Sequence, residues 1–321
     1  MKDIHIFNEK IKKVADAFEI KKGTKIVSYT QFSMYDACPK SWELTYIKKN
    51  KTYKPGIDTI FGTAMHTVIQ LWLTTLYQKS VKKSNELDLP AILKKEISIE
   101  YLKELKKNEN VHFSTPQVLY EYWEDGTEIL TFLRKKRLKY FSTRRVEFVG
   151  FEIPIVLNPL ENIEGVKFQA YLDLVFKDLD TNQVEIIDIK TSKRGWKEWD
   201  KKNVTKISQV ILYKMYYSQI FNVPIDDIKV SYFILKRKLD VNSEFPQSRI
   251  QTFVPSQGSI TLKKTKTRFT EFVSKTFNPD GTYNENINYP AFAGTKAKNC
   301  FFCQFKDNFD LCPQERRIED V

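Results

Sequence analysis

Residues Glu185 to Lys193 read EIIDIKTSK. In a strand successive side chains point to opposite faces, so Asp188 and Lys190 share one face while Ile187 and Ile189 take the other. An acid and an amine on one strand face is what a metal-dependent phosphodiesterase needs. The acid offers a hard oxygen ligand, and the ammonium group sits beside the charge that develops at phosphorus. Taken alone, the same alternation also describes the polar face of a half-buried antiparallel strand. A second acid, Asp173, lies upstream in the segment Val166 to Lys177, and Asp178-Leu179-Asp180-Thr181-Asn182 between the two is rich in turn formers. The two segments therefore read as a hairpin. A turn centred on Asp180-Thr181 sets Asp173 opposite Asp188, and one centred on Thr181-Asn182 sets it opposite Lys190. Either register gathers the three groups on one face, whereas a one-residue slip turns Asp173 away.

Other residues extend the pattern. Gly62-Thr-Ala-Met-His66 opens an apolar-periodic segment (Met65, Val68, Ile69, Trp72, Leu76) that predicts a helix with His66 near its start. Gln209 and Tyr213, four apart, fall on one face of a second predicted helix, an arrangement that also suits a plain polar stripe. Glu152, in Phe151-Glu-Ile-Pro, is a weaker acid candidate on the preceding strand; His5 and His112 have no motif around them and read as surface residues.

In this order G-x-x-x-H, a first Asp, D-x-K followed by Thr, and Q-x-x-x-Y resemble the RecB-like branch of the PD-(D/E)XK nuclease superfamily. Cys38, in Tyr29-Thr-Gln-Phe-Ser-Met-Tyr-Asp-Ala-Cys38-Pro39, precedes these motifs, and Cys300, Cys303 and Cys312 follow them, with Pro313 after the last. That layout is similar to the iron-sulfur nucleases of the branch, including AddB-type recombination subunits and CRISPR-adaptation exonucleases. The likeness runs from about Ser28 to Pro313. It departs in two places: Ala170 stands where the family usually has Gly three residues before the first Asp, and the gap from Cys303 to Cys312 exceeds the common form.

The resemblance implies an α/β (α+β) fold, with a restriction-endonuclease-like mixed central sheet flanked by helices and the two ends of the chain joined at a metal cluster. It implies that Asp173 and Asp188, with His66 and the Ile189 carbonyl, hold Mg2+ or Mn2+. Lys190 then orients the attacking water or stabilises the phosphorane oxygens, and Gln209 and Tyr213 hold substrate phosphate or support the metal shell. Cys38, Cys300, Cys303 and Cys312 are expected to carry a 4Fe-4S cluster, with a four-thiolate zinc site as the alternative. Either would close a very long loop and clamp the chain ends together. The implied activity is a metal-dependent DNA exonuclease acting on single strands or DNA ends in recombination, repair or replication. A nuclease subunit of a larger recombination or CRISPR-adaptation complex, and a non-catalytic DNA-binding protein, are the alternatives.

Composition fits these expectations. A chain of 321 residues, 41% hydrophobic and 14% aromatic, can bury a large core. A formal charge of +12 points toward polyanions, although an AT-rich genome also inflates Lys. Basic runs at Arg134-Lys135-Lys136-Arg137, Arg144-Arg145, Lys193-Arg194 and Lys236-Arg237-Lys238 each read as a solvated face, or together as a track toward the metals. Trp196 and Trp199 beside one run suit either packing or stacking on unpaired bases. No G-x-x-x-x-G-K-[ST] is present, so a helicase motor is not expected. The charged N-terminus MKDIHIFNEKIKK and the lack of a long apolar run predict a cytoplasmic protein, in which cysteines serve as metal ligands rather than disulfides.

Periodicity and punctuation give the order of elements. Helix is expected over about Ser28 to Tyr46, interrupted at Cys38-Pro39, then over Gly56 to Ser80 and within Leu89 to Tyr140. Strands follow at Val146 to Leu157, Val166 to Lys177 and Val184 to Lys190, a helix at Thr205 to Phe221, strands at Ile228 to Lys236 and Ile250 to Val254, and a helix at Leu262 to Phe277. This divides the chain into a helical region 1–145, a nuclease core 146–256 and a cysteine-bearing segment 257–321, forming one compact unit.

Overall fold

The computed structural model describes residues 5–6, 20, 23–50, 54–240 and 242–319. The rest of the N-terminal stretch read for a leader, and the His5 side chain, lie outside the described residues. No described helix is long and apolar enough to cross a membrane.

Two short strands, β1 (His5–Ile6) and β2 (Lys25–Val27), come first. Helix α1 (Tyr29–Ala37) follows, its N-terminus capped by the Ser28 hydroxyl, which accepts from Gln31 N–H. Cys38 breaks it in an extended conformation, and α2 (Pro39–Trp42) restarts with proline where no N–H is required, leading into a π-helical turn at Glu43–Ile47. The expected interruption at Cys38-Pro39 is thus present. A helical layer then forms from α3 (Ile57–Gln78), α4 (Val81–Asn85), α5 (Leu89–Lys107), α6 (Pro116–Lys135) and α7 (Arg137–Tyr140). Because α3 begins at Ile57, His66 lies well inside the helix and not near its start.

The strand-rich half differs from expectation at two points. Val146 to Leu157 is not one strand but two, β3 (Val146–Phe151) and β4 (Ile153–Leu157), broken at Glu152 with φ +50°. Val166 to Lys177 likewise splits into β5 (Val166–Leu172) and β6 (Leu174–Asp178), with Asp173 at the break. Strand β7 (Val184–Ser192) runs two residues past Lys190. The short α8 (Glu198–Lys201) and the long α9 (Val204–Phe221) connect it to β8 (Ile228–Lys236), followed by β9 (Ile250–Phe253), α10 (Ser259–Thr276), β10 (Ala291–Phe292) and β11 (Arg317–Ile318).

The breaks move the chain between sheets. A six-stranded sheet has the order β1-β3-β6-β7-β8-β9, in which β7 and β8 are parallel and the other pairs antiparallel. A three-stranded sheet, β2-β5-β4, takes the segments beyond the breaks. The architecture is therefore mixed sheet with helices packed around it, a restriction-endonuclease-like arrangement.

Core lies on both faces of the larger sheet. Ile187, Ile189, Phe148, Phe176 and Phe233 pack under α3, α5 and α6, while Ile186, Val184, Val230 and Tyr232 pack toward α9, α10 and the smaller sheet. The face that carries Asp188 and Lys190 is thus apolar over its first half and polar only near its carboxyl end. Alternation set the two faces correctly, but the polar one is enclosed: Asp188 is 2% exposed.

Candidate active site

Strand pairing brings the acids together. Leu174 pairs with Ile187 across β6 and β7, which continues to Asp173 beside Asp188; this is the register of a turn centred on Asp180-Thr181. Ile153 pairs with Leu172 across β4 and β5, so the next residues at the bend, Glu152 and Asp173, are neighbours. Two chain crossings between sheets therefore stack their bends, and each bend carries a carboxylate.

Helix α3 supplies the imidazole. His66 Nδ1 lies 3.5 Å from Asp173 Oδ1, and its Nε2 donates to the Ile189 carbonyl at 3.0 Å. One turn on, where residues four apart share a helix face, Gln70 Nε2 donates to Glu152 Oε1 at 3.2 Å. His66, Glu152 and Asp173 each place a ligand atom within 4.8 Å of the others, and among the described residues this is the one His/Cys/Asp/Glu group so close. Asp173 Oδ2 accepts from Ile189 N–H at 2.8 Å, fixing that carboxylate to β7. Lys190 Nζ stands 2.7 Å from Asp188 Oδ2, an oxygen that is buried and lacks a well-formed hydrogen bond.

The electrostatics follow from burial. Burial pushes the Asp188 carboxyl up to about 6, the Asp173 charge adding to this and Lys190 opposing it. Burial also works against the Asp173 charge, yet His66, Lys190 and the Ile189 N–H together hold its carboxyl below the usual range. Burial lowers and Asp173 raises the His66 imidazole, and the net shift is upward. Lys190 is raised likewise, because Asp188 and Asp173 outweigh its desolvation. Two carboxylates and one imidazole within 4.8 Å, with the Asp188 carboxylate on the adjoining strand, offer hard oxygen donors and one nitrogen, which suits Mg2+ or Mn2+.

Helix α9 closes the site from the other face. Gln209 Nε2 donates to the Tyr213 hydroxyl at 2.8 Å. Burial, with the Asp188 charge second, raises that phenol well above 10, so it stays a hydroxyl at neutral pH. Tyr29 is a neighbour that motif reading left without a role. Burial raises its phenol to about 12 with Lys190 and Asp188 both acting on it, and it donates to the Thr205 carbonyl at 3.0 Å. Its place at the first position of α1, one residue past the Ser28 cap, was the available signal.

The family profile of the PD-(D/E)XK nuclease superfamily matches residues 26–311. The chain belongs to that superfamily. Members are nucleases that use divalent metals, in accord with the His66, Glu152 and Asp173 group. No curated protein matches the chain. A solved structure titled "Crystal structure of SSO0001" aligns with 96% of this chain and 95% of its own length, at 12% identity and a TM-score of 0.34.

The cysteines form a separate feature. All four, Cys38, Cys300, Cys303 and Cys312, line one cavity of about 340 Å³ that includes space open to solvent. They are not drawn tightly together: among the described residues no three cysteine sulfurs lie within 4.8 Å of one another. Cys303 Sγ contacts Ser41 Oγ at 3.9 Å, Asn299 Nδ2 donates to the Ala37 carbonyl at 2.7 Å, and Arg317 Nη2 donates to the Cys312 carbonyl at 2.8 Å. The segment around Cys38 and the segment from Asn299 to Cys303 therefore meet at the cysteines through protein contacts.

Not every basic run joins a track. Arg237 is buried, pairs with Asp125 at 2.7 Å and stacks over the Tyr122 ring at 3.7 Å. Lys238 pairs with Glu121 and Asp125, and Arg145 with Asp180. Arg134 donates to the Leu87 carbonyl. These cations tie the helical layer and the hairpin to their neighbours. His112, exposed as expected, has its Nδ1 2.9 Å from the Tyr101 hydroxyl.

Proposed function

We propose that the chain is a divalent-metal-dependent deoxyribonuclease of the RecB-like branch, an exonuclease acting on single-stranded DNA or DNA ends. The observation that carries this is the convergence of Asp173, Glu152, His66, Asp188 and Lys190 at one bend between two sheets. Asp173, Asp188, Glu152 and His66 would hold Mg2+ or Mn2+, with the Ile189 carbonyl beside them. The bound ion supplies Lewis acidity at the phosphate and a water acidic enough to attack it. Lys190, kept charged by two carboxylates, orients that water or meets the negative charge on the phosphoryl oxygens. Tyr213, held by Gln209 and kept protonated, presents a donor for a phosphate oxygen. The +12 charge favours a polyanionic substrate.

At the cysteines we favour a 4Fe-4S cluster with a structural role, since its ligands lie outside the D-x-K hairpin. Zinc sites more often use two short cysteine pairs, whereas a lone distant cysteine ahead of Cys300-x2-Cys303 and Cys312 is the layout of the iron-sulfur nucleases this sequence resembles. Anaerobically purified protein should be brown and contain iron; colourless protein with one zinc per chain overturns this assignment.

A second reading is a nuclease that works inside a larger recombination or CRISPR-adaptation assembly, favoured by Phe302, 92% exposed beside Cys303. End-labelled linear and circular DNA, single- and double-stranded, incubated with Mn2+ and with Mg2+, tests the first reading. Cleavage of linear substrate from its ends, lost in Lys190→Ala, is the expected result. Cutting of circles assigns endonuclease activity, and full turnover in Lys190→Ala removes the proposed site.

A further inference from the structure

We infer that Trp199 is a base-stacking platform for single-stranded DNA beside the cleavage site, a reading that rests on the function proposed above. The sequence left Trp196 and Trp199 equivalent; the structure separates them. Trp196 is an anchor: its ring packs on Tyr232 at 4.6 Å and Phe253 at 6.0 Å, and Lys206 Nζ lies 5.2 Å from its centroid. Its N–H donates to Gln251 Oε1 at 2.7 Å, and Gln251 Nε2 donates back to its carbonyl at 3.0 Å. Trp199, three residues on, is 61% exposed. Leaving a large indole in water has no packing gain, and this one stands on a braced segment and not on a loose loop.

The bracing is specific. Ser192 Oγ accepts from Gly195 N–H at 3.0 Å and donates to the Gly195 carbonyl at 3.1 Å. Gly195 turns the chain at φ +91°, where a Cβ would meet Gln251 Oε1 at 2.8 Å. Asp200 accepts from Lys197 N–H at 3.1 Å and pairs with Lys206 at 2.6 Å. The platform is therefore fixed before substrate arrives, which lowers the ordering cost of binding.

Position and charge define the ligand. The segment leaves β7 at Ser192, two residues past Lys190, and the Tyr232 under Trp196 is the cross-strand partner of Asp188. Lys197 Nζ lies 4.7 Å from the Trp199 centroid, and exposed Lys193, Arg194 and Lys202 make no ion pair among the described residues. An exposed ring flanked by uncommitted cations matches an unpaired base flanked by phosphates; in a duplex the base faces are covered by their neighbours.

Trp199→Ala and Trp199→Phe in the full-length protein test this by fluorescence anisotropy in EDTA. The probes are a short labelled thymidine strand, an abasic strand of equal length and a duplex. Trp199→Ala should weaken binding of the thymidine strand about 10-fold, Trp199→Phe less, and neither should alter the abasic strand or the duplex. Wild-type affinity of Trp199→Ala for the thymidine strand, or an equal loss on the abasic strand, overturns the proposal. If wild-type protein cleaves nothing with either metal, the nuclease reading fails, while the comparison of thymidine and abasic strands still decides the platform.

Discussion

Acidification should weaken the divalent ion's hold on this site well above the pH at which ordinary carboxylates titrate. The Asp188 carboxyl, raised by burial to about 6 against its usual 3.8, must give up its proton to act as a ligand. Each pH unit below about 6 then lowers apparent affinity roughly tenfold, about 1.4 kcal/mol. At about pH 5 the loss from this group alone is about 10-fold relative to about pH 7.5, whereas a carboxyl titrating at its usual value would lose almost nothing. His66 adds a second loss in the same direction, since its imidazole is raised and must be neutral to bind metal. Asp173, held low, contributes none over this range. Calorimetric titration of Mn2+ into the protein without DNA, repeated in His66→Ala, separates the two. In His66→Ala the break in log affinity should remain at or above about pH 6, because the imidazole that lowers the Asp188 carboxyl and helps hold Asp173 low is gone. An affinity flat down to about pH 5 in that variant would refute the assignment of Asp188 as a buried ligand.

Three further outcomes follow from particular contacts. Glu152→Gln keeps the shape but removes a charge from the His66 and Asp173 group, so Mn2+ affinity and Mn2+-supported cleavage should both fall, by roughly 10- to 100-fold for a ligand or its immediate support; unchanged calorimetry assigns Glu152 to hydrogen bonding with Gln70 alone. Cys38→Ser should lose iron, measured by elemental analysis, and lower the melting temperature, because Cys38 is the one cysteine donated by the N-terminal half. Asp125→Ala removes the close partner of Arg237, both residues being 6% exposed, and leaves it Glu121 at 3.9 Å and the Tyr122 ring; it should cost up to about 3–5 kcal/mol in chemical denaturation, with Lys238 also losing a partner.

The hairpin and its register were readable because period-two alternation and a turn-rich joint leave few options for Asp173, Asp188 and Lys190. The break at Asp173 was not readable, because the position is neither glycine nor proline and the apolar alternation of Val166 to Lys177 continues across it. The break at Glu152 was missed although the alternation changes phase there and Gly150 and Pro154 flank it. At Glu152 a non-glycine residue holds φ +50°, a conformation that costs energy and persists where the surroundings impose it. The paired crossing of β4 and β5 into a second sheet imposes it here. Glu152 consequently ranked as a weak acid on a neighbouring strand, although it reaches His66 and Asp173. The basic runs show the converse: Arg237 read in sequence as part of a solvated face or of a track toward the metals, and is a buried partner of Asp125.

What the amino-acid order determined by itself is chemistry and local form. An acid and an amine fall on one strand face, a histidine and a Gln-Tyr pair sit at helical spacing, and soft ligands lie near both ends of the chain, because side-chain period is fixed by backbone geometry. What only the tertiary structure decided is which charges are buried, which are cancelled and which meet. Asp188 is raised because it is enclosed, Trp196 packs while Trp199 stands in water, and Glu152 reaches Asp173 because two strands bend together. Those outcomes depend on contacts between residues far apart in the chain, and no local pattern encodes them.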